Sequence, residues 1–199
     1  MSATVVILTK LPGHLPIKTR LVPLLGEATA TRFYVEMLEA TVELARRIDP
    51  DPVLAFSPPD ADPHAALPSL SNCSFRPVEG ADGATCLENA LDEAFAGRPL
   101  LALGGDAPDL PYDLLVEVVR GCGIHDAVFV PTDDGGFSCL GLRRPVPGLA
   151  GGFRYGSGDS LDALERFFEG RGLSVHRTDP WPDIDTPADY RAYLARRNR

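Results

Sequence analysis

A three-layer α/β domain on a mostly parallel sheet is the architecture this sequence predicts, on three grounds. Short apolar runs alternate with longer amphipathic segments along the chain, the pattern of strands joined by helical crossovers. The central run, Leu100-Leu-Ala-Leu103, is apolar at every position, as a strand buried on both faces must be. Polar and charged residues collect just after the apolar runs, at the strand ends where open α/β sheets bind ligands.

Thr4-Val-Val-Ile-Leu-Thr9 is β-branched and apolar, a first buried strand. Two prolines and a glycine make Lys10 to Leu21 a loop. Residues 27–48 predict a helix, with Phe33, Met37, Leu38, Leu44 and Ile48 near one face. Val53-Leu-Ala-Phe56 is a second strand, and 57–84 reads as a long irregular connection rich in Pro, Asp and Ser. Thr85-Cys-Leu-Glu88 has capping-box spacing, and a helix follows it into the central strand. After Asp106, Pro111 suits the first turn of a helix whose core face is Leu114, Leu115, Val118 and Val119.

Ala127-Val-Phe-Val130 is the next strand. It leads through Asp133-Asp-Gly-Gly136 into Phe137–Leu142, with too short a gap for a helical crossover, so this strand is expected to run antiparallel. Residues 143–158 are loop. Leu161, Leu164, Phe167 and Phe168 define a helix ended by Gly170 or Gly172, and 173–177 is a late strand. In the tail, Thr186 is a natural N-cap for a last helix carrying Tyr190, Tyr193 and Leu194, and Trp181 reads as a packing anchor. With no repeat and no linker, residues 1–199 are expected to form a single domain.

The chain has 19 Lys+Arg against 28 Asp+Glu, a net charge of −9. That balance argues against a broad nucleic-acid surface. No apolar run is long enough to cross a bilayer, and the N-terminus lacks a signal-peptide pattern, so the expected location is the cytoplasm. Cys73, Cys86, Cys122 and Cys139 contain no C-x-x-C pair and are expected to be free thiols. The four histidines show no ligand spacing and receive no role. Neither G-x-G-x-x-G at the start nor a P-loop is present.

Three strand ends carry charge. After the first strand come Lys10, Lys18 and Arg20, either a solvated surface loop or a phosphate cradle. Asp106 follows the central strand, either a turn or cap acid or a ligand-facing carboxylate. Asp183 and Asp185 lie near the last strand. Cations on one side and carboxylates on the other suit a magnesium–polyphosphate ligand. Asp134-Gly-Gly136 is either a hairpin turn or a contact surface for a second substrate.

Lys10-x-Pro12…Lys18-Thr-Arg-Leu21, Gly105-Asp-Ala-Pro-Asp-Leu110, Asp134-Gly-Gly-Phe-x-x-x-Gly141 and Asp183-Ile-Asp-Thr-Pro-Ala-Asp189 occur in that order. Together they resemble the DUF2064 group of the nucleotide-diphospho-sugar transferase (GT-A) superfamily, related to the molybdenum-cofactor and 2-phospholactate nucleotidyltransferases. The resemblance implies a GT-A fold and one Mg²⁺ or Mn²⁺. It implies a nucleotide held by Thr9, Lys10, Lys18, Arg20 and Asp106, with Lys18 and Asp106 catalytic. Asp106 with Asp185 or Asp183 would bind the metal, Asp185 being preferred because Asp183 sits beside Pro182. Asp134, Gly135 and Gly136 would face the acceptor or sugar. Three stretches depart from the group: Leu15-Pro16 in place of a glycine, Glu79-Gly-Ala-Asp-Gly-Ala-Thr85, and Phe153-Arg-Tyr-Gly-Ser157, which looks more like the phospholactate guanylyltransferases.

The expected activity is a metal-dependent transferase using a nucleoside triphosphate or a nucleotide-sugar, with a small-molecule acceptor. Nucleotidyl and glycosyl transfer both remain open. The reading from another class is a non-catalytic nucleotide-binding or regulatory protein on the same fold.

Overall fold

The computed structural model describes residues 2–197. Seven strands form one sheet: β1 (Thr4–Lys10), β2 (Val53–Ser57), β3 (Ser74–Pro77), β4 (Leu100–Gly104), β5 (Ala127–Pro131), β6 (Phe137–Leu142) and β7 (Val175–Arg177). Their order is β3-β2-β1-β4-β6-β5-β7. All neighbouring pairs are parallel except the two made by β6, which runs antiparallel to both β4 and β5. The short gap between β5 and β6 leaves no room for a crossover, which is why β6 alone is reversed.

Among the described residues, seven α-helices accompany the sheet. They are α1 (Val22–Leu25), α2 (Glu27–Ala45), α3 (Pro63–Ala66), α4 (Gly83–Ala94), α5 (Tyr112–Gly121), α6 (Ser160–Glu169) and α7 (Pro187–Arg197). Alternate residues of each strand face opposite layers. Val5, Ile7, Leu101 and Leu103 pack with Leu38 and Val42 of α2 and Val118 of α5. Val6, Leu100, Ala102 and Phe129 pack with Leu87 and Leu91 of α4 and Leu164 and Phe168 of α6. Covering both faces is what makes the central strands apolar throughout. A third cluster joins Phe33, Tyr34 and Met37 of α2 to Ile184 and Tyr193 of the tail.

The irregular stretch expected over 57–84 holds more structure than its composition suggests: α3, a 3₁₀ turn at Pro68–Leu70 and the edge strand β3. Only four residues long and partly buried, β3 carries no clear alternation. Nor is Thr85 the cap of α4. The Asp82 side chain accepts from the Thr85 amide at 2.9 Å, so the helix begins at Gly83. Glu88 then binds the Gly148 and Ala150 amides at 2.6 and 2.7 Å instead of its own helix end. Thr186 does cap α7: its hydroxyl accepts from the Asp189 amide at 3.3 Å while Asp189 accepts from the Thr186 amide at 2.7 Å. All four cysteines are free. No described helix is long and apolar enough to cross a membrane.

Candidate functional site

Strand order reverses between β1 and β4, and crevices at such switch points receive ligands in open α/β sheets. A cleft of about 640 Å³ opens there, along the carboxyl ends of the strands. Its walls come from the loops after β1 and β4, the turn between β5 and β6, the start of α4, and the tail.

The tail reaches the cleft by main-chain bonds. Trp181 N donates to Pro131 O at 2.9 Å, and Ile184 N to Asp106 O at 2.9 Å. The Trp181 indole donates to Asp109 Oδ1 at 3.1 Å, and Arg196 of α7 holds the other oxygen of Asp109 at 2.8 Å. Trp181 is thus an anchor, as its sequence context suggested. The consequence is that Asp183 and Asp185, 77 and more residues beyond Asp106, sit beside it in the cleft wall.

Lys18 lies at the centre of these acids. Its backbone takes φ +43°, a left-handed conformation that is rare for a side chain other than Gly, Asn or Asp. Its ammonium donates to Ile184 O at 2.7 Å and to Asp185 Oδ1 at 2.7 Å, and reaches Asp106 Oδ2 at 3.4 Å. The side chain is only 6% exposed, against 36% for Asp106 and 39% for Asp185. Burial opposes its charge, but Asp106, Asp185 and Asp183 outweigh that and raise its pKa. Lys18 therefore ties carboxylates together and does not offer a free cation to phosphate. Arg20 is also spoken for: 68% exposed, 3.3 Å from Asp185 Oδ2, and outside the cleft lining.

Of the first-loop cations, Lys10 remains on the cleft wall with its side chain exposed. Tyr34 fixes its backbone, accepting from Lys10 N at 3.0 Å and donating to Lys10 O at 3.1 Å. Burial, chiefly, pushes the Tyr34 phenol pKa up, so it stays protonated. Thr9 lines the cleft but is buried, its hydroxyl directed at Ile7 O at 3.3 Å.

Asp106 turns back over the end of β4, and a Cβ on Gly104 would lie 2.6 Å from its Oδ1. The glycine at the end of the strand is what gives this carboxylate its space. Asp183 has an upward-shifted pKa, about 7, from burial first and then from Asp106, Asp134 and Asp185. Asp185, the acid preferred from sequence for a metal, is the one bound by Lys18 and Arg20. Asp183 is half-buried, and among the described residues its carboxylate has no ion-pair partner.

In the turn between β5 and β6, Asp134 Oδ1 accepts from the Thr132 hydroxyl at 2.6 Å and the Gly136 amide at 3.0 Å. Asp134 therefore builds the turn and also lines the cleft, as does Gly136. Gly135 requires a correction. It lies outside the cleft lining, at φ +85°, where a Cβ would sit 2.1 Å from Gly158 O. It lets two loops cross and touches no cleft space. Sequence reasoning missed Asp82, a fifth carboxylate in the cleft wall, because Thr85 looked like the better cap.

The cleft lining thus holds five carboxylates, Asp82, Asp106, Asp134, Asp183 and Asp185, against two ammonium groups, Lys10 and Lys18. Among the described residues no three acid, His or Cys side chains are close enough to cage a metal unaided. The oxygen-only donors of Asp106 and Asp183 nevertheless fit a hard cation. Magnesium commonly takes one or two protein carboxylates and completes its shell with water and phosphate.

The family described as "Uncharacterized protein conserved in bacteria (DUF2064)" matches residues 40–157. The chain belongs to this DUF2064 family. Among solved structures, a protein from Desulfovibrio desulfuricans G20, provisionally called a nucleotide-diphospho-sugar transferase, is 26% identical with a TM-score of 0.87. The match covers 100% of this chain and 89% of that one. The 2-C-methyl-D-erythritol 4-phosphate cytidylyltransferase of Thermus thermophilus is 17% identical, TM-score 0.59, covering 98% and 100% of the two chains. Rv0371c of Mycobacterium tuberculosis H37Rv, in complex with manganese, is 18% identical, TM-score 0.58, covering 98% and 99%. No curated protein matches the sequence. The chain has the nucleotide-diphospho-sugar transferase fold.

Proposed function

We propose that this DUF2064 protein is a metal-dependent, nucleotide-using transferase acting on a small-molecule acceptor. The observation that carries the reading is the charge of the switch-point cleft: five carboxylates line it, and three of them, Asp106, Asp183 and Asp185, act on one buried lysine. Carboxylates gathered in this way repel a bare polyphosphate and welcome a divalent cation that accompanies one. A neighbour of the same fold is in complex with manganese, and another is a cytidylyltransferase, which supports the reading.

In this reading Asp106 and Asp183 hold Mg²⁺ or Mn²⁺, with Asp185 on the Lys18 side. The ion, when bound, neutralises charge developing on the leaving phosphates. Lys10 supplies a positive charge at the end of β1, on a backbone that Tyr34 holds. Lys18 keeps Asp106 and Asp185 in place, and it is available to phosphate only by giving up one of them. Asp134 presents its carboxylate to the acceptor side, where it accepts a hydroxyl hydrogen bond.

The test is a thermal-shift screen of nucleoside triphosphates and nucleotide-sugars with and without Mg²⁺ or Mn²⁺, followed by product analysis. Metal-dependent release of pyrophosphate marks nucleotidyl transfer, and release of a nucleoside phosphate marks glycosyl transfer. Metal-dependent binding without turnover across acceptors returns the protein to the class of nucleotide-binding regulators. Absence of any metal-dependent binding overturns the proposal.

A further inference from the structure

Three of the segments that line the cleft carry acids: the loop after β4 with Asp106, the β5–β6 turn with Asp134, and the tail with Asp183 and Asp185. One residue outside the cleft lining joins all three. Trp181 belongs to the tail, two positions before Asp183. Its indole donates to Asp109 Oδ1 at 3.1 Å, and Asp109 follows Asp106 by three positions. Its backbone amide donates to Pro131 O at 2.9 Å, beside Thr132, whose hydroxyl binds Asp134. Asp109 has both oxygens engaged. Oδ1 takes the indole, Oδ2 takes Arg196 Nε at 2.8 Å, and Arg196 Nη2 reaches Oδ1 at 3.3 Å. The Arg196 guanidinium also lies over the indole, 5.6 Å from the ring centroid. Asp109, Trp181 and Arg196 all stand outside the cleft lining.

The joint brackets Asp183. After it in the chain, Ile184 N donates to Asp106 O at 2.9 Å. Before it, the Trp181 indole is held by Asp109. A tail tied at one point can swing about that point, whereas two ties on either side of Asp183 fix its direction relative to Asp106. Asp109 is a firm post for the second tie, because Leu110 N donates to Ala107 O at 3.1 Å and closes the turn that carries it. The fold does not hang on this joint alone. The Trp181 amide bond to Pro131 remains without it, and so does the packing of Tyr190 and Tyr193 on Phe33. Precision is what the joint adds, and a small hard cation demands it. Magnesium requires near-ideal octahedral placement of its oxygens, so carboxylates from two segments serve it only when their separation is set. Groups that orient metal ligands from outside the site commonly matter to metal affinity almost as much as the ligands.

We propose that Asp109 and Trp181 are positioning residues for the divalent cation: the indole–carboxylate joint between them sets the separation of Asp106 and Asp183. The assignment rests on the metal-dependent reading above. Neither residue touches the ion or a substrate, and both act through the backbone segments that carry the two acids.

Binding of Mn²⁺ to the full chain, followed by the electron paramagnetic resonance of the free ion, tests this together with melting temperatures. Wild type is compared with Asp109→Ala, Asp109→Asn and Trp181→Phe. Asp109→Asn keeps an oxygen for the indole, Asp109→Ala removes it, and Trp181→Phe keeps an aromatic ring without the N–H. Trp181 is the one tryptophan of the chain, so its emission shows directly whether the joint is broken in Asp109→Ala and kept in Asp109→Asn. Mn²⁺ affinity is expected to fall about tenfold in Asp109→Ala and Trp181→Phe and to stay near wild type in Asp109→Asn. Should Asp109→Ala fail to fold, Trp181→Phe against Asp109→Asn makes the same comparison. Variants that melt lower but bind Mn²⁺ as wild type does make the joint purely structural and overturn the proposal. So does an Asp109→Asn variant that keeps the wild-type emission yet binds Mn²⁺ as weakly as Asp109→Ala. In both cases wild type still binds the ion, and the metal-dependent reading stands. Wild type that binds no Mn²⁺, with or without a nucleoside triphosphate, overturns that reading and the positioning role with it.

Discussion

The Lys18 ammonium donates to Asp185 Oδ1 at 2.7 Å across 167 positions of sequence, and the same nitrogen reaches Asp106 at 3.4 Å. One buried cation thus joins the first loop, the end of β4 and the tail. Replacing it by Met leaves two carboxylates without their partner. The loss is expected to be roughly 1–3 kcal/mol, below the range for a fully buried pair because both acids are more than a third exposed. Because the lysine pKa is raised above 10.5, its stabilisation is complete below that pH and is lost only as pH climbs through the folded-state value. Urea unfolding of Lys18→Met at pH 7.5 measures this. A change within about 0.5 kcal/mol, the scatter of ordinary surface substitutions, would show that the ion cluster is held by the tail alone.

Asp183 makes the opposite contribution near neutral pH. Burial and its acidic neighbours lift its carboxyl to about 7 from an ordinary 3.8. The folded protein then holds a proton that the unfolded chain has lost, so this group's stabilisation is present below about pH 4 and disappears as pH rises through about 7. Asp183→Asn is expected to raise the melting temperature at pH 8 by several degrees and to have little effect at pH 4.5. Saturating Mg²⁺ should narrow the pH 8 difference by stabilising the wild type. Parallel melting curves for the two proteins at both pH values would remove Asp183 from the acid cluster.

Much of this was legible in the chain. β1, β2, β4, β5 and the antiparallel β6 follow from apolar runs and gap lengths, which depend on local pattern alone. The edge strand β3 was not, because four residues, none of them fully buried, carry no period. The site shows the same division. Asp106, Asp183 and Asp185 could be expected on one side because strand-end acids share one end of a parallel sheet, although the sequence preferred Asp185 to Asp183 for a metal. The burial of Lys18 could not, because it depends on Ile184 offering its carbonyl across a tail folded back by main-chain bonds. A free lysine and a clamped one look alike in sequence.

Gly135 shows how a motif glycine is misread. The pair after Asp134 suggested backbone room for a substrate, but the room at Gly135 is filled by Gly158. An alanine there meets both a left-handed φ, costing about 1 kcal/mol, and a carbonyl oxygen at 2.1 Å, so the loops must part. A loss of about 2–4 kcal/mol is expected from Gly135→Ala in chemical denaturation. A stable Gly135→Ala variant with weakened sugar or nucleotide binding would restore the substrate-contact reading.

Asp106 is the decisive position for the metal. Its carboxylate receives one long contact from Lys18 at 3.4 Å, is 36% exposed, and faces Asp183. Its structural duty is carried by the backbone, whose carbonyl accepts from Ile184 N at 2.9 Å and survives a side-chain change. Asp106→Asn keeps the shape and removes one charge from a crowded group of acids, so the metal-free protein should melt at the same temperature or slightly higher. It should lose the stabilisation that nucleotide confers only when Mg²⁺ or Mn²⁺ is present. That stabilisation follows RT ln(1 + [L]/Kd), about 2.7 kcal/mol at a hundredfold excess over Kd, or roughly 5–11 °C for a chain of this size. Calorimetric titration of the nucleotide with and without metal, on both proteins, separates the two roles of the residue. If Asp106→Asn melts many degrees lower without metal yet retains full metal-dependent nucleotide binding, Asp106 is a structural acid and the cation is held elsewhere.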